Sequence, residues 1–305
     1  MTAVYPVASG LTSHSGTLTP EIWSGKTLVK FYKTTVFGDI TNTDYEGEIQ
    51  NHGDTVHIRT IPDMVIGDYT VGMDLNYDSP VTTVIDLLIN KGKYYGMSIK
   101  DVQKMQADIP YVEKWTDDAG MQMGISIDTS VLADVYADAD DDNKGLTAGV
   151  TGSYSMGVTG TPLLLDADNI IEWIVDCGSV LDEQDVPDTQ RWIVIPPLFC
   201  GMIKKSDLSD ASLSGDGTSM KRNGRLGMID RFTIYRSNSI ATAVSGTEHN
   251  AIAGHPTAIT FASQLVQNET LKNPKDFGDL MRGLQVYGYK VIKETALIHG
   301  VLKKA

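Results

Sequence analysis

Cysteine is scarce in this 305-residue chain, which holds only Cys177 and Cys200. They lie far apart and outside any metal-ligand spacing, so both read as reduced thiols of a protein that stays out of an oxidising compartment. Long apolar runs are missing too. No stretch approaches the ~18 residues of a membrane span, and the start, MTAVYPVASGLTSHSG, has neither the basic segment nor the apolar core of a signal peptide. Synthesis in the cytoplasm and no membrane association are expected. Positive charge is in short supply: 25 Lys and Arg against 39 Asp and Glu give a formal net charge of -14. That balance argues against a surface that grips nucleic acid by neutralising phosphates. Catalytic signatures are also absent. The six histidines are scattered, and no GxSxG, HExxH or paired-cysteine motif occurs. Gly215, Gly217, Gly224 and Gly227 fit neither a P-loop nor a dinucleotide fingerprint and read as turn glycines. His52 and His57 have an odd separation that points them to opposite faces of an extended chain. The acidic run from Asp138 to Gly145 lacks the turn glycine and closing glutamate of a calcium loop. No catalytic, cofactor-binding or metal-ligating residue is assigned, and weight moves from an enzyme to a structural protein.

What is present begins with a sizeable core, since 41% of the residues are hydrophobic and the length suits about two domains. No proline occurs between Pro110 and Pro162. Within that interval Trp115, Ala119, Met123, Ile127, Val131 and Val135 recur every fourth place, which predicts one long amphipathic helix over about 110–143. Asp108 and Pro110 suit its start, and Asn143 and Gly145 its end. A helix of about 30 residues spans roughly 45 Å, more than an ordinary globular core, and implies an elongated subunit suited to an assembly.

Taken in order, residues 1–18 read as a mobile arm, and Thr19 and Pro20 open a helix carrying Ile22, Trp23, Val29, Tyr32 and Val36. It docks on its own chain or on a neighbour. Residues 45–80 read as a long two-stranded ribbon: Val56 and Ile58 alternate with His57 and Arg59, and after Pro62 the residues Tyr69, Val71, Met73, Leu75 and Tyr77 alternate with polar ones. One greasy face results, and an isolated hairpin needs a partner surface for it, here expected on another subunit. The run VTTVIDLLI after Pro80 reads as a strand buried on both faces, followed by a strand at Lys93–Ile99 and a short helix from Asp101 to Ala107. Residues 141–162 form a Gly, Ser and Thr-rich loop, the best domain boundary. Beyond it come a helix over 166–182, a buried strand at RWIVIPP, a helical turn to Ile203, and a returning strand within GRLGMIDRFTIYRSNSI. The closing segments around Val286–Val291 and Ala296–Leu302 read as strands able to pair with residues 81–99 and share one sheet with them.

This order of elements resembles the major capsid proteins of tailed double-stranded DNA bacteriophages, with the HK97-type fold. VIDLLINKGKYYGMSIKDVQKMQAD resembles the segment leading from the extended loop into the spine helix. PDTQRWIVIPPLFCGMIKK and GRLGMIDRFTIYRSNSI resemble strands of the apical domain, and AIAGHPTAITFASQ with GLQVYGYKVIKETAL resembles the closing peripheral strands. The resemblance implies an α+β capsid fold: an N-arm at 1–44, an extended β-hairpin E-loop at 45–80, a P-domain at 81–160 with the long spine helix and at 255–305, and an α/β A-domain at 161–254. It implies a non-enzymatic coat subunit without cofactors, self-assembling into hexamers and pentamers of an icosahedral head that encloses DNA without binding it specifically. An encapsulin-like nanocompartment shell subunit is the alternative from the same fold, and a soluble hydrolase the remote one. Expected partners are further copies of the chain, a separate scaffolding protein (no long cleaved segment precedes the arm helix), a portal protein and a decoration protein. The expected location is the virion, after synthesis in the host cytoplasm. Trp23, Tyr32, Asp54, Arg59, Asp68, Tyr69, Val71, Met73, Leu75 and Tyr77 are the candidate contacts between subunits. Some family members weld neighbours through an E-loop lysine, but residues 45–80 contain none, so a non-covalent shell is expected.

Overall fold

A computed structural model describes residues 32–45, 55–62, 64–74, 77, 79–101, 111–206, 227–244 and 246–305. The arm, most of the first predicted helix with Trp23, the residues His52, Asp54 and Leu75, the short helix after Asp101 and the loop with Gly215, Gly217 and Gly224 lie outside the described residues.

The described chain opens with a short helix, α1 (Phe37–Ile40), then β1 (Thr55–Arg59), β2 (Val84–Leu88), β3 (Lys91–Lys100) and the long helix α2 (Tyr111–Asp134). There follow β4 (Leu163–Leu165), α3 (Ile170–Glu183), β5 (Arg191–Ile195), α4 (Pro197–Ile203), β6 (Met228–Ile229), β7 (Phe232–Arg236), β8 (Thr242–Val244) and β9 (Glu248–Gly254). The last strands are β10 (Ile259–Lys272), β11 (Gly278–Val291) and β12 (Leu297–Lys304). They form three sheets: the β1-β2 ribbon, a sheet in the order β10-β11-β3, and a larger one in the order β4-β12-β9-β5-β7-β6 with β8 beside β9.

The larger sheet carries the main core. Every residue of β5 is buried, as a central strand covered on both faces requires. On α3 the residues Ile170, Trp173, Ile174, Cys177 and Leu181 recur at helical spacing and are buried against that sheet. Cys177 and Cys200 are both buried free thiols. Burial raises the Cys177 thiol well above its ordinary pKa and that of Cys200 to about 11, so neither is a reactive thiolate.

Several expectations need correction. The long helix is shorter than predicted: 24 residues in α2, or about 36 Å, with a 3-10 turn at Val135–Asp138 and another at Asp141–Asn143. Its last turn has no basic residue, and acidic side chains oppose the negative end of the helix dipole. Asp140 instead accepts from the Asp142 N–H at 3.0 Å and caps the second 3-10 turn. Only the second half of the apolar stripe is used as core: Ile127, Val131, Leu132 and Val135 are buried, whereas Trp115 is 50% exposed.

The ribbon is built differently as well. β1 pairs with β2, matching Val56 with Leu87 and Ile58 with Ile85, and no described residue between Ile61 and Pro80 is in a strand. Gly72 lies at φ +89°, a left-handed conformation that a continuous strand does not take. VTTVIDLLI therefore supplies the ribbon's return strand, with Val84 and Leu88 exposed and only one face buried. At the other end, GRLGMIDRFTIY is two strands, because Asp230 (φ 44°) and Arg231 (φ 66°) make a two-residue turn between β6 and β7. The strand after that turn does return to the sheet, parallel to β5. β11 pairs with β3 as expected, but β12 joins β9 and β4 in the larger sheet rather than residues 81–99. Residues 141–162 are tied by hydrogen bonds to the closing segment at 295–301. The Val301 N–H donates to the Met156 carbonyl at 2.9 Å, and Asn143 donates through Nδ2 to the Thr295 and Leu297 carbonyls at 2.6 and 3.1 Å.

Candidate functional site

The β1-β2 ribbon is the foot from which the candidate contact residues project. Its apolar side, Ile58 and Leu87 with Ile89 beyond the ribbon, is buried against Ala262 of β10. Its outer side pairs His57 with Asp86 across the strands, Nδ1 to Oδ1 at 2.6 Å. The last rung is Thr60 with Thr83, where the Thr60 N–H donates to the Thr83 carbonyl at 2.9 Å. The described residues between 61 and 82 then leave the ribbon without strand structure, turning at Val71 and Gly72 with a hydrogen bond from the Met73 N–H to the Thr70 carbonyl at 3.1 Å.

This loop is unusually greasy for a surface segment. Ile61, Val65, Ile66, Val71, Tyr77 and Val81 are all exposed, Val71 at 89% and Tyr77 at 86%. Contiguous apolar exposure of this kind marks an interaction surface. Among the predicted contacts, Asp68, Tyr69, Val71 and Met73 are exposed at or within a few residues of the turn, and Tyr77, also exposed, follows later in the chain. Arg59 stands apart at the end of β1, exposed and opposite Val84. Tyr32 belongs elsewhere: its hydroxyl donates to Asp118 of α2 at 2.8 Å, and that carboxylate raises the phenol pKa. Trp23, Asp54 and Leu75 lie outside the described residues.

Sequence reasoning missed the groups that hold this frame. Asp128 is fully buried on α2, and its Oδ1 accepts from the backbone N–H groups of Val36 and Phe37 at 2.9 and 3.0 Å, capping α1 from a distant element. Asn42 forms a parallel bridge with Thr260, so residues 36–42 dock on their own chain. Lys91 donates to Asp134 at 2.8 Å and to the Tyr289 hydroxyl, which itself donates to Asp134. This trio joins β3, α2 and β11 beside a cleft of about 440 Å³. The Lys91 hydrogen bond, then that from Tyr289, holds the Asp134 carboxyl below its usual range. Burial, then the Asp134 carboxylate, pushes Tyr289 up to about 12. Burial opposes the charge on Lys91, but its two hydrogen-bond partners outweigh this and its pKa rises. The trio is a cation locked in place, with no free base in it. A clue was legible for Asp128 alone, an acidic residue lying within the apolar stripe.

The sequence matches the family described as phage capsid protein over residues 82–299. The chain belongs to that family. A solved structure from Mycobacterium phage Che8 is 27% identical, covers 93% of this chain and 97% of its own, and superposes with a TM-score of 0.76. The capsid structure of cyanophage P-SCSP1u shares the fold at 14% identity over 100% of both chains, TM-score 0.74. The mature capsid of bacteriophage PhiM1 does so at 14% identity over 99% of both, TM-score 0.69. No curated protein matches the chain. This phage capsid protein is accordingly a major capsid protein, a structural subunit of the virion whose work is self-association into a shell. The mixed α+β architecture with several sheets agrees with those capsid structures.

Proposed function

We propose that this capsid protein assembles into hexamers and pentamers of an icosahedral head enclosing double-stranded DNA, and that the loop at 61–82 forms a principal contact between copies. The observation that carries the proposal is the exposed apolar loop on a rigid foot. Such residues contribute about 1.5 to 3 kcal/mol each when buried, and the subunit by itself leaves them in water. In subdomain terms, residues 1–44 serve as the N-arm, 45–80 with β2 as the E-loop, α2 with the β10-β11-β3 sheet as the P-domain, and the larger sheet with α3 and α4 as the A-domain. A separate scaffolding protein, a portal protein and a decoration protein are the partners that such a head would use, after synthesis in the host cytoplasm. DNA is enclosed without specific binding, in keeping with the net charge of -14.

The test is the double variant Ile66→Asp, Val71→Asp. It should leave a folded subunit, since neither side chain contributes to the core, and lower the yield of closed particles seen by electron microscopy at least tenfold. Normal particles would remove the loop from the interface.

A further inference from the structure

The ribbon does not merely lie on the three-stranded sheet; its exit passes over one residue at van der Waals limit. A Cβ placed on Gly288 of β11 would stand 2.2 Å from the Leu88 carbonyl oxygen, 3.0 Å from its carbon and 3.1 Å from the Ile89 Cα. All three are backbone atoms, so no side-chain rotation relieves the clash. Ordinary contact begins near 3.4 Å, and a methyl group here would lift the crossing chain by about 1 Å. Directly opposite Gly288 in the β10-β11 pairing is Ala262, fully buried under Ile58, Leu87 and Ile89. Gly288 and Ala262 thus make a flat seat of minimal side chains, on which the ribbon sits backbone against sheet.

We propose that Gly288 is a positioning residue for assembly: it fixes the height and direction at which the β1-β2 ribbon leaves the body, and so where the loop at 61–82 meets a second copy. The lever makes this effective. β1 alone is five residues long, about 17 Å at the rise of a strand, and the loop lies beyond it, so a small tilt at the seat becomes a larger displacement at Val71. A closed shell repeats one contact geometry many times, and a changed angle misdirects every copy alike.

This inference rests on the loop being the contact between copies, and the experiment separates the two ideas. Gly288→Ala is compared with Gly92→Ala on neighbouring β3, where a Cβ meets nothing nearer than the Gln285 carbonyl at 3.9 Å. Ala262→Val is the second variant, enlarging the same seat through a side chain. The expected result is that both seat variants stay folded by circular dichroism, melt cooperatively, and give open or irregular shells with at least a tenfold loss of closed particles, while Gly92→Ala assembles normally. Closed particles of normal diameter and yield from Gly288→Ala and Ala262→Val would overturn the proposal. So would loss of assembly that appears in both only with global unfolding, which would make the seat a matter of stability. If the seat variants assemble normally while Ile66→Asp, Val71→Asp does not, this inference fails and the loop interface stands; if the loop variant itself assembles normally, the interface fails first.

Discussion

At the scale of single residues, the subunit depends on a few polar groups placed where apolar ones surround them. Asp128 is the clearest. Its Oδ1 takes two backbone N–H groups that α1 cannot satisfy internally, and those donors lie beside the buried Val36 and Ile40. Asp128→Ala would strand them, at a cost of about 1–3 kcal/mol, and release residues 36–42 from α2. The expected outcome is a lowered unfolding midpoint in denaturant and new protease cleavage near Phe37, with Asp128→Asn intermediate because its amide oxygen still accepts. An unchanged midpoint would show that solvent replaces the cap. Arg191 is a second such group: wholly buried, it donates to Asp182 at 2.6 Å and to the Pro187, Gly178 and Val186 carbonyls, with Arg231 holding the other oxygen of Asp182 at 2.8 Å. Its planar fork suits several carbonyl acceptors at once, which lysine could not match.

At the scale of elements, β12 is held to β9 and to the 3-10 turn that follows α2 by a half-buried imidazole. His299 lies against the Tyr136 ring, centroids 4.8 Å apart, and its Nε2 meets Asn250 Oδ1 at 3.0 Å. Burial, then the nearby Lys144, lowers its pKa from 6.5 to about 4. The unfolded chain therefore binds a proton at this site below pH 6.5 that the folded chain refuses until about pH 4. Stability contributed by the neutral ring is full above pH 6.5 and is lost as pH falls through that window. His255, lowered by burial first and then by Arg191 and Lys293, acts with the same sign. The loss from His299 is at most on the order of 3 kcal/mol. Melting temperature should fall from pH 7 to pH 4, and His299→Gln, which keeps a donor for Asn250, should flatten that fall. An equal slope in the variant would place the acid sensitivity elsewhere.

At the scale of the whole molecule, the subunit has a large core around one sheet and a greasy loop that its own core does not use. Redrawing the ribbon to include β2 extends the segment in which a welding lysine would have to lie, and no lysine occurs from Tyr45 to Asn90. Lys91, the next one, is engaged by Asp134 and Tyr289 with a raised pKa, so it stays a protonated structural cation and a poor nucleophile. Mature particles boiled in detergent and reductant should run as a single band near the 33.2 kDa monomer. A ladder of covalent oligomers would contradict this. Cohesion then comes from many modest contacts repeated over the shell, which need no covalent bond.

The sequence by itself determined what depends on local pattern. Period and burial run together in α3, where Ile170, Ile174 and Leu181 return to one face, and in β5, where RWIVI has no polar side to show. The order of such elements was enough to place the chain among phage capsid proteins. Tertiary structure alone decided what depends on partners distant in the chain. Alternation in Tyr69–Tyr77 looks like a strand, but a strand exists only where another backbone pairs with it, and Val84–Leu88 offered Val56 and Ile58 the better apolar register. The stripe on α2 predicts a longer helix, yet its length was settled by acidic residues at one end, and its burial by what packs on Ile127 and Val131 but leaves Trp115 half exposed. The seat at Gly288 shows the limit most plainly: a glycine in a strand looks like a weakness until the backbone that crosses it, 200 residues earlier in the chain, is seen to leave no room for a methyl group.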